Sequence, residues 1–235
     1  MKVGIVGYGV EGKSAEAYWR AKGDDVTILD TDSDLTDYDL LVRSPGVHPA
    51  KLPEGAAVTS VTNEFMANCP APIFGVTGTK GKGTTASLLA AMLTAAGKKV
   101  HLGGNIGVPA LDLLADIQLD DIVVLELSSF QLIDAKKSPH VSVCLMIAPE
   151  HLDYHADEQE YWSAKGNIFA HQNPEDIAIY NRNDQASMDL AYTSAGQKIP
   201  YDVKGTHKEG AYVLDGQIWY QDNLIRLLTS LYLLS

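Results

Sequence analysis

The chain has 235 residues, 46% hydrophobic and 20% charged, which is enough apolar material for a folded core and more than one average domain. Thirty acidic against eighteen basic side chains leave a net charge of −12, which repels polyanions and excludes nucleic-acid or anionic-membrane binding driven by long-range attraction. The two cysteines, Cys69 and Cys144, lie far apart in apolar surroundings without CxxC spacing, and read as reduced, structural residues.

In chain order, Met1 runs straight into a strand at Val3–Val6 with no signal-peptide pattern, so a cytoplasmic location is expected. A helix over Glu11–Lys22, closed by Gly23, and strands at Val26–Leu29 and Leu40–Arg43 complete a small α/β unit. Two prolines in Cys69-Pro70-Ala71-Pro72 place a domain boundary there, giving units 1–70 and 71–235. Beyond it, Ala71–Val76 reads as a buried strand, and the helical spacing of Leu88, Leu89, Met92, Leu93 and Ala96 runs up to Gly97. Apolar runs at Val100–Leu102, Ile122–Leu127, Val141–Ile147 and Asp176–Tyr180 predict further strands of a mostly parallel sheet. Tyr212–Leu214 and Ile218–Tyr220 flank Asp215-Gly216-Gln217 as a hairpin. The final stretch, Asn223–Ser235, falls short of the roughly 20 apolar residues of a membrane span and predicts an amphipathic helix. The fold class is thus α/β, a Rossmann-like first domain followed by a P-loop NTPase-like central domain.

Gly78-Thr79-Lys80-Gly81-Lys82-Gly83-Thr84-Thr85 lies between strand and helix and is the most informative run. Its glycines let backbone N–H groups approach phosphate, the helix N-terminus adds partial positive charge, Lys82 can span the outer phosphates, and a nearby hydroxyl can hold magnesium. The common P-loop has Ser or Thr directly after the lysine; here Gly83 intervenes and Thr84 brings the hydroxyl. The first unit has its own signature, Gly7-Tyr8-Gly9-Val10-Glu11-Gly12 after a strand, with Asp30 ending the next one. That pattern fits a nicotinamide or flavin dinucleotide, another nucleotide, or a plain structural turn. Glu126 ends a buried strand, the place where a parallel sheet delivers a magnesium ligand to its crevice. His151, with Glu150 and Asp153, follows the next strand, and taken by itself favours a surface or hydrogen-bonding role because magnesium prefers oxygen. Taken by itself, Lys165 reads as an ordinary helix lysine with its stem on apolar surface.

Together GTKGKGTT (78–85), GGNIG (103–107), LELSSFQL (125–132), PEHLDYH (149–155) and SAKGNIF (163–169) resemble the Mur ligases over almost the whole chain. LELSSFQL, GYGVEG and Arg43-Ser44-Pro45-Gly46-Val47 look most like the branch of that family that joins D-glutamate to a UDP-linked muramoyl-alanine acceptor. The resemblance implies ATP and Mg2+ as cofactors, and a carboxylate activated as an acyl phosphate before the amine attacks. It implies ATP binding by Gly78–Thr85 and catalytic roles for Lys82, His151 and Lys165. It further implies metal holding by Thr84, Glu126, His151 and Lys165, the last carbamylated by CO2. Gly9, Val10, Glu11, Asp30, Thr31, Ser44, Asn105 and Ser128 are implied to bind the UDP-substrate, while Asp32 stands where a basic residue is expected beside uracil. The family's third domain, which binds the incoming amino acid, is not found in this chain, so a truncated ligase with little activity of its own is expected. The runner-up is a folylpolyglutamate-synthase-like ligase, suggested by the Gly83 spacing; an NAD-dependent oxidoreductase or a noncatalytic nucleotide-binding module would leave part of these motifs unused.

Overall fold

The computed structural model describes residues 1–227. Strands β1 (Lys2–Val6), β2 (Asp25–Leu29), β3 (Leu40–Arg43) and β4 (Val58–Ser60) form an all-parallel sheet in the order β2-β1-β3-β4, with helix α1 (Val10–Ala21) returning from β1 to β2. The order reverses direction between β1 and β3. Parallel sheets open a crevice at such a point, outside the carboxyl ends of the strands. Helix α2 (Val61–Asn68), whose N-cap Ser60 accepts from Asn63 N, leads out of this sheet.

The second sheet contains β5 (Ile73–Thr77), β6 (Val100–Gly104), β7 (Ile122–Glu126), β8 (Val141–Cys144), β9 (Ile177–Asn181), β10 (Gln197–Asp202), β11 (Ala211–Leu214), β12 (Gln217–Tyr220) and β13 (Asn223–Leu227). Its order is β13-β12-β11-β10-β9-β8-β5-β7-β6, parallel from β11 to β6 and antiparallel at the β12 and β13 edge. Helix α3 (Lys82–Ala95) links β5 to β6, and the short α4 (Ala110–Leu113) and α5 (Ser129–Leu132) follow β6 and β7. Helices α6 (Glu158–Ala170) and α7 (Gln185–Ala191) flank β9 in sequence. A second reversal falls between β5 and β8, which brings the loops after Thr77 and Cys144 together.

One apolar cluster runs through both sheets: Ala15 and Trp19 of α1, Phe65 and Met66 of α2, Leu111 of α4, Val123 and Leu125 of β7, and Ile168 and Phe169 of α6. Burying these side chains in common, at roughly 25 cal/mol per Å2 of apolar surface, opposes independent motion of the two sheets. Tyr161, Ala164, Lys165, Ile168 and Phe169 are all buried, the core stripe of α6 at helical spacing. Lys165 is therefore not a snorkelling surface lysine: it sits on the core face at 2% exposure. The two cysteines are free.

The predicted strands and first helices are present within a residue or two, except that β8 stops at Cys144 rather than Ile147. Leu145 N and Thr79 N bond Thr77 O and Met146 O, so the chain there follows the loop after β5 and leaves the ladder. β4, β10, α2, α4, α5 and α7 had no clear sequence signal; Pro200 inside β10 weakened its pattern. The hairpin turn closes on Asp215 and Gly216, φ 50° and 69°, the left-handed pair of a type I′ turn. The expected C-terminal helix is corrected over Asn223–Leu227, which pairs with β12 as β13 after a second left-handed pair, Gln221 and Asp222. Cross-strand pairing overrode a helical spacing that was only a weak prior. Residues 228–235 of that expectation lie outside the described residues. Among the described residues no helix is long and apolar enough to cross a membrane.

Candidate active site

The crevice of the first sheet is a cleft of about 560 Å3. The turn after β1 (Gly7–Gly12), the loop after β3 (Ser44–Val47), Gly104 at the end of β6, and Asn105, Gly107 and Pro109 beyond it line the cleft, so both sheets contribute walls. Gly7 has φ 86°, and a Cβ on Gly12 would stand 2.4 Å from Gly7 O, so the turn can only lie this close to α1 as glycine. A Cβ on Gly9 would meet nothing within 4 Å; its backbone faces open space. Ser44 Oγ donates to Gly7 O at 2.6 Å, tying the two loops of the crevice together. Glu11 reaches inward: Oε1 accepts from Gln131 Nε2 at 2.5 Å, while Oε2 is buried without a partner among the described residues. Burial raises the Glu11 carboxyl to about 7, opposed by the Gln131 hydrogen bond and the Arg43 charge. Gly9, Val10, Glu11, Ser44 and Asn105 thus line one cleft. Asp30, Thr31 and Ser128 are not among its lining residues: Asp30 sits in an exposed turn with Ser33, and Ser128 caps α5 by a capping box with Gln131.

At the second crevice, β5 turns through Gly78 (φ 143°) and Gly81 (φ 85°) into α3, which begins at Lys82. The loop is pinned by Thr79, whose hydroxyl donates to Ala148 O at 2.8 Å, accepts from Ala148 N at 2.8 Å and lies 3.0 Å from the Tyr161 hydroxyl. Two ammonium groups bond the loop's carbonyl oxygens: Lys82 Nζ to Thr79 O at 3.0 Å and Lys165 Nζ to Gly78 O at 2.9 Å. Burial, then the neighbouring Lys82 charge, lowers Lys165 to about 8. Its Nζ also stands 4.8 Å from the centre of the Tyr161 ring.

Glu126, the last residue of β7, is 4% exposed. Oε1 accepts from Asn105 Nδ2 at 3.0 Å, and Oε2 is buried with no partner among the described residues. A Cβ on Gly83 would lie 2.9 Å from that oxygen, so the glycine after Lys82 brings the first turn of α3 against the carboxylate. An uncompensated buried carboxylate oxygen is costly, and a hard cation supplies the missing partner. This donor chemistry fits a magnesium ligand at Glu126; Thr84 follows Gly83 in the first turn of α3 and is exposed. Asn105, which lines the cleft and bonds Glu126, joins the two sites.

His151 (φ 58°) has a half-exposed ring 4.9 Å from that of Phe130, with Glu150 as its ion partner at 3.9 Å. It makes no hydrogen bond or ion pair with Glu126, Thr84 or Lys165, and among the described residues no three His, Cys, Asp or Glu side chains form a metal-sized cluster. Lys80, within the loop, is exposed. Sequence reasoning missed the Thr79–Tyr161 contact and the buried His155, whose Nε2 meets Ser129 Oγ at 2.9 Å and whose Nδ1 lies 3.5 Å from the partly exposed Glu160. Thr79 and Tyr161 are 82 residues apart and Ser129 and His155 are 26 apart, separations that no spacing rule reaches.

A glycine-rich loop between a parallel strand and a helix, served by two lysines and facing a strand-end carboxylate, is the architecture of an α/β domain of the P-loop type. Residues 76–228 match the family model for the Mur ligase middle domain, and the chain belongs to the Mur ligase family. It is 41% identical over 194 residues to a UDP-N-acetylmuramoylalanine--D-glutamate ligase of Acetivibrio thermocellus, covering 80% of this chain and 42% of that protein. It is 40% identical over 206 residues to the enzyme of the same name from Clostridium acetobutylicum, covering 87% and 43%. The chain spans about half the length of the curated relatives it matches. Among solved structures it is similar in fold to the UDP-N-acetylmuramate:L-alanyl-gamma-D-glutamyl-meso-diaminopimelate ligase from Neisseria meningitides, with TM-score 0.60, 19% identity, and coverage of 95% of this chain and 86% of that one. The UDP-N-acetylmuramate-alanine ligase MurC from Thermotoga maritima gives TM-score 0.57 at 17% identity, covering 96% and 59%.

Proposed function

We propose that the chain carries the nucleotide-handling parts of a cytoplasmic ligase that adds D-glutamate to UDP-N-acetylmuramoyl-L-alanine. In this reading residues 1–70 hold the UDP-substrate and residues 71–235 hold ATP. The observation that carries it is the facing of Lys82, Lys165 and the unpartnered Glu126 Oε2 around the 78–83 loop, joined through Asn105 to the cleft. The two relatives named for this reaction support the choice of acceptor and amino acid over the folate and NAD alternatives.

Bound ATP supplies the phosphoryl group that converts the acceptor carboxylate to an acyl phosphate, and Mg2+ offsets the charge that moves with it. The chain's residues prepare that step. Lys82 exchanges Thr79 O for a phosphate oxygen and keeps its charge at the loop. Glu126 and Thr84 would hold that cation, and His151 would serve a second one. Lys165, with its ammonium disfavoured by burial and by Lys82, presents more of the neutral amine that takes up CO2 with loss of a proton to solvent; as a carbamate it would keep an N–H for Gly78 O and turn repulsion of Lys82 into attraction. Gly9, Val10, Glu11, Ser44 and Asn105 line the acceptor's cleft; Asp30, Thr31 and Ser128 act from outside it.

The test supplies UDP-N-acetylmuramoyl-L-alanine, ATP, Mg2+ and D-glutamate to the chain, by itself and joined to the C-terminal half of the A. thermocellus relative, and reads phosphate release and the amide product. Turnover by the joined form is expected, with Lys82→Ala abolishing phosphate release and leaving UDP-substrate binding unchanged. Phosphate release that survives Lys82→Ala, or tight NADH binding that UDP does not displace, overturns the reading.

A further inference from the structure

Arg43 ends β3 with its side chain fully buried, yet nothing in the proposed chemistry uses it. Its guanidinium faces two ways. Nε and Nη2 donate to the Asp134 carboxylate at 2.8 and 2.6 Å, and Nη2 also donates to Phe130 O at 3.0 Å, both in the segment after β7. Nη1 donates to Val47 O at 2.9 Å, with longer contacts to Pro45 O at 3.3 Å and Ser44 O at 3.4 Å. The Tyr154 hydroxyl, from the loop between β8 and α6, is shared between Pro45 O at 2.9 Å and Val47 O at 3.2 Å. Three of the four carbonyl oxygens of Ser44–Val47 are therefore held by these two side chains. That loop is one wall of the cleft, and Asp134, Phe130 and Tyr154 all belong to the half that carries the phosphate loop. Nearby, His48 Nε2 lies 3.2 Å from Glu160 of α6, a further link between the same two segments.

We propose that Arg43 and Tyr154 are positioning residues for the ligand of the cleft: they fasten the Ser44–Val47 wall to the phosphate-loop half, so that the acceptor is presented to that loop in one register. Only the ligand's identity as a UDP-substrate rests on the functional reading above. A planar fork with five donors suits this task because it serves a carboxylate and several carbonyls at once, which a lysine ammonium on a flexible stem cannot do.

Tyr154→Phe is the sharpest variant, since it keeps the ring and its edge contact with Phe130 at 4.2 Å and deletes only the hydroxyl. Hydrogen exchange of the Ser44, Gly46 and Val47 amides is measured in the chain, together with binding of UDP-N-acetylmuramoyl-L-alanine and of a nonhydrolysable ATP analogue. Losing these shared hydrogen bonds is expected to speed exchange at 44–47 about tenfold and weaken the UDP-substrate about tenfold, with ATP-analogue affinity unchanged. Arg43→Lys should show the same split more strongly; if it fails to fold, Asp134→Asn, which loosens the fork and keeps Arg43, gives the second measurement. Unchanged exchange and unchanged UDP-substrate affinity in Tyr154→Phe overturn the proposal, as does an equal loss of both ligands with faster exchange throughout, which marks a general structural role. If the unaltered chain takes up no UDP-substrate, the functional reading falls, while the exchange measurement still decides whether the wall is held.

Discussion

Replacing Thr79 by valine tests whether the phosphate loop is held by one side chain. The hydroxyl is saturated: it donates once, to Ala148 O, and takes Ala148 N–H and the Tyr161 hydroxyl as donors. Valine has nearly the same shape, so little cavity forms, but the Ala148 N–H, the Ala148 carbonyl and the Tyr161 hydroxyl lose a partner in a region where Thr79 is 6% exposed. Each buried polar group left unpaired costs about 1–3 kcal/mol. Tyr161 and the carbonyl recover part of this by small shifts, so the expected loss is about 3 kcal/mol, or roughly 6–12 °C in melting temperature for a chain of this size. Thr79→Ser keeps the hydroxyl and gives up a methyl, which costs about 1 kcal/mol. Urea unfolding of the three proteins supplies the free energies, and ATP-analogue titration reports the loop. Valine is expected to be much worse than serine in both assays. Equal losses for the two variants, or a valine variant that binds the analogue as tightly as the parent, would refute it.

Two further outcomes follow from buried charges. Lys165 falls from 10.5 to about 8 on folding, so between those values the unfolded chain holds more protons than the folded one and stability rises with pH. The full span is worth about 3 kcal/mol, and Lys165→Met should remove that alkaline slope in unfolding measured from pH 7.5 to 10.5 without added bicarbonate; an identical slope in the variant contradicts the burial argument. Glu11 has the opposite sign: its folded value, about 7, lies above the ordinary 4.5, so its contribution to stability is lost as pH rises through that window. Glu11→Gln should be more stable than the parent at pH 8 and no more stable at pH 4.5, by chemical unfolding at both; a gain of equal size at both pH values would show that charge is not the cause.

Much of this molecule was legible because its signals are local. A buried strand needs only a short apolar run, a positive-φ turn needs glycine, and a phosphate loop needs glycines, a lysine and a helix start within a dozen residues. β1, α1, β2, β3, β5, α3 and the 78–85 loop were readable on those grounds. The failures have equally definite causes. Asn223–Leu227 has apolar residues that suit either a helix or a strand, and pairing with β12 chose the strand. Lys165 looked like a surface lysine because its sequence neighbours do not disclose that α6 turns this face inward beneath the loop.

What the residues by themselves determined was the strand–helix alternation around the two glycine turns and the kind of chemistry each turn suits, since backbone sterics and hydrogen-bonding capacity act over a few bonds. The tertiary structure alone decided that Gly9, Ser44 and Asn105 share one cleft while Asp30 and Ser128 are not among its lining residues, that Glu126 keeps an oxygen unpaired among the described residues against Gly83, and that Arg43 spans both halves. These are contacts across roughly 40 to 100 residues of chain, fixed by how two sheets bury a common apolar core, and no local rule encodes which distant groups that burial brings together.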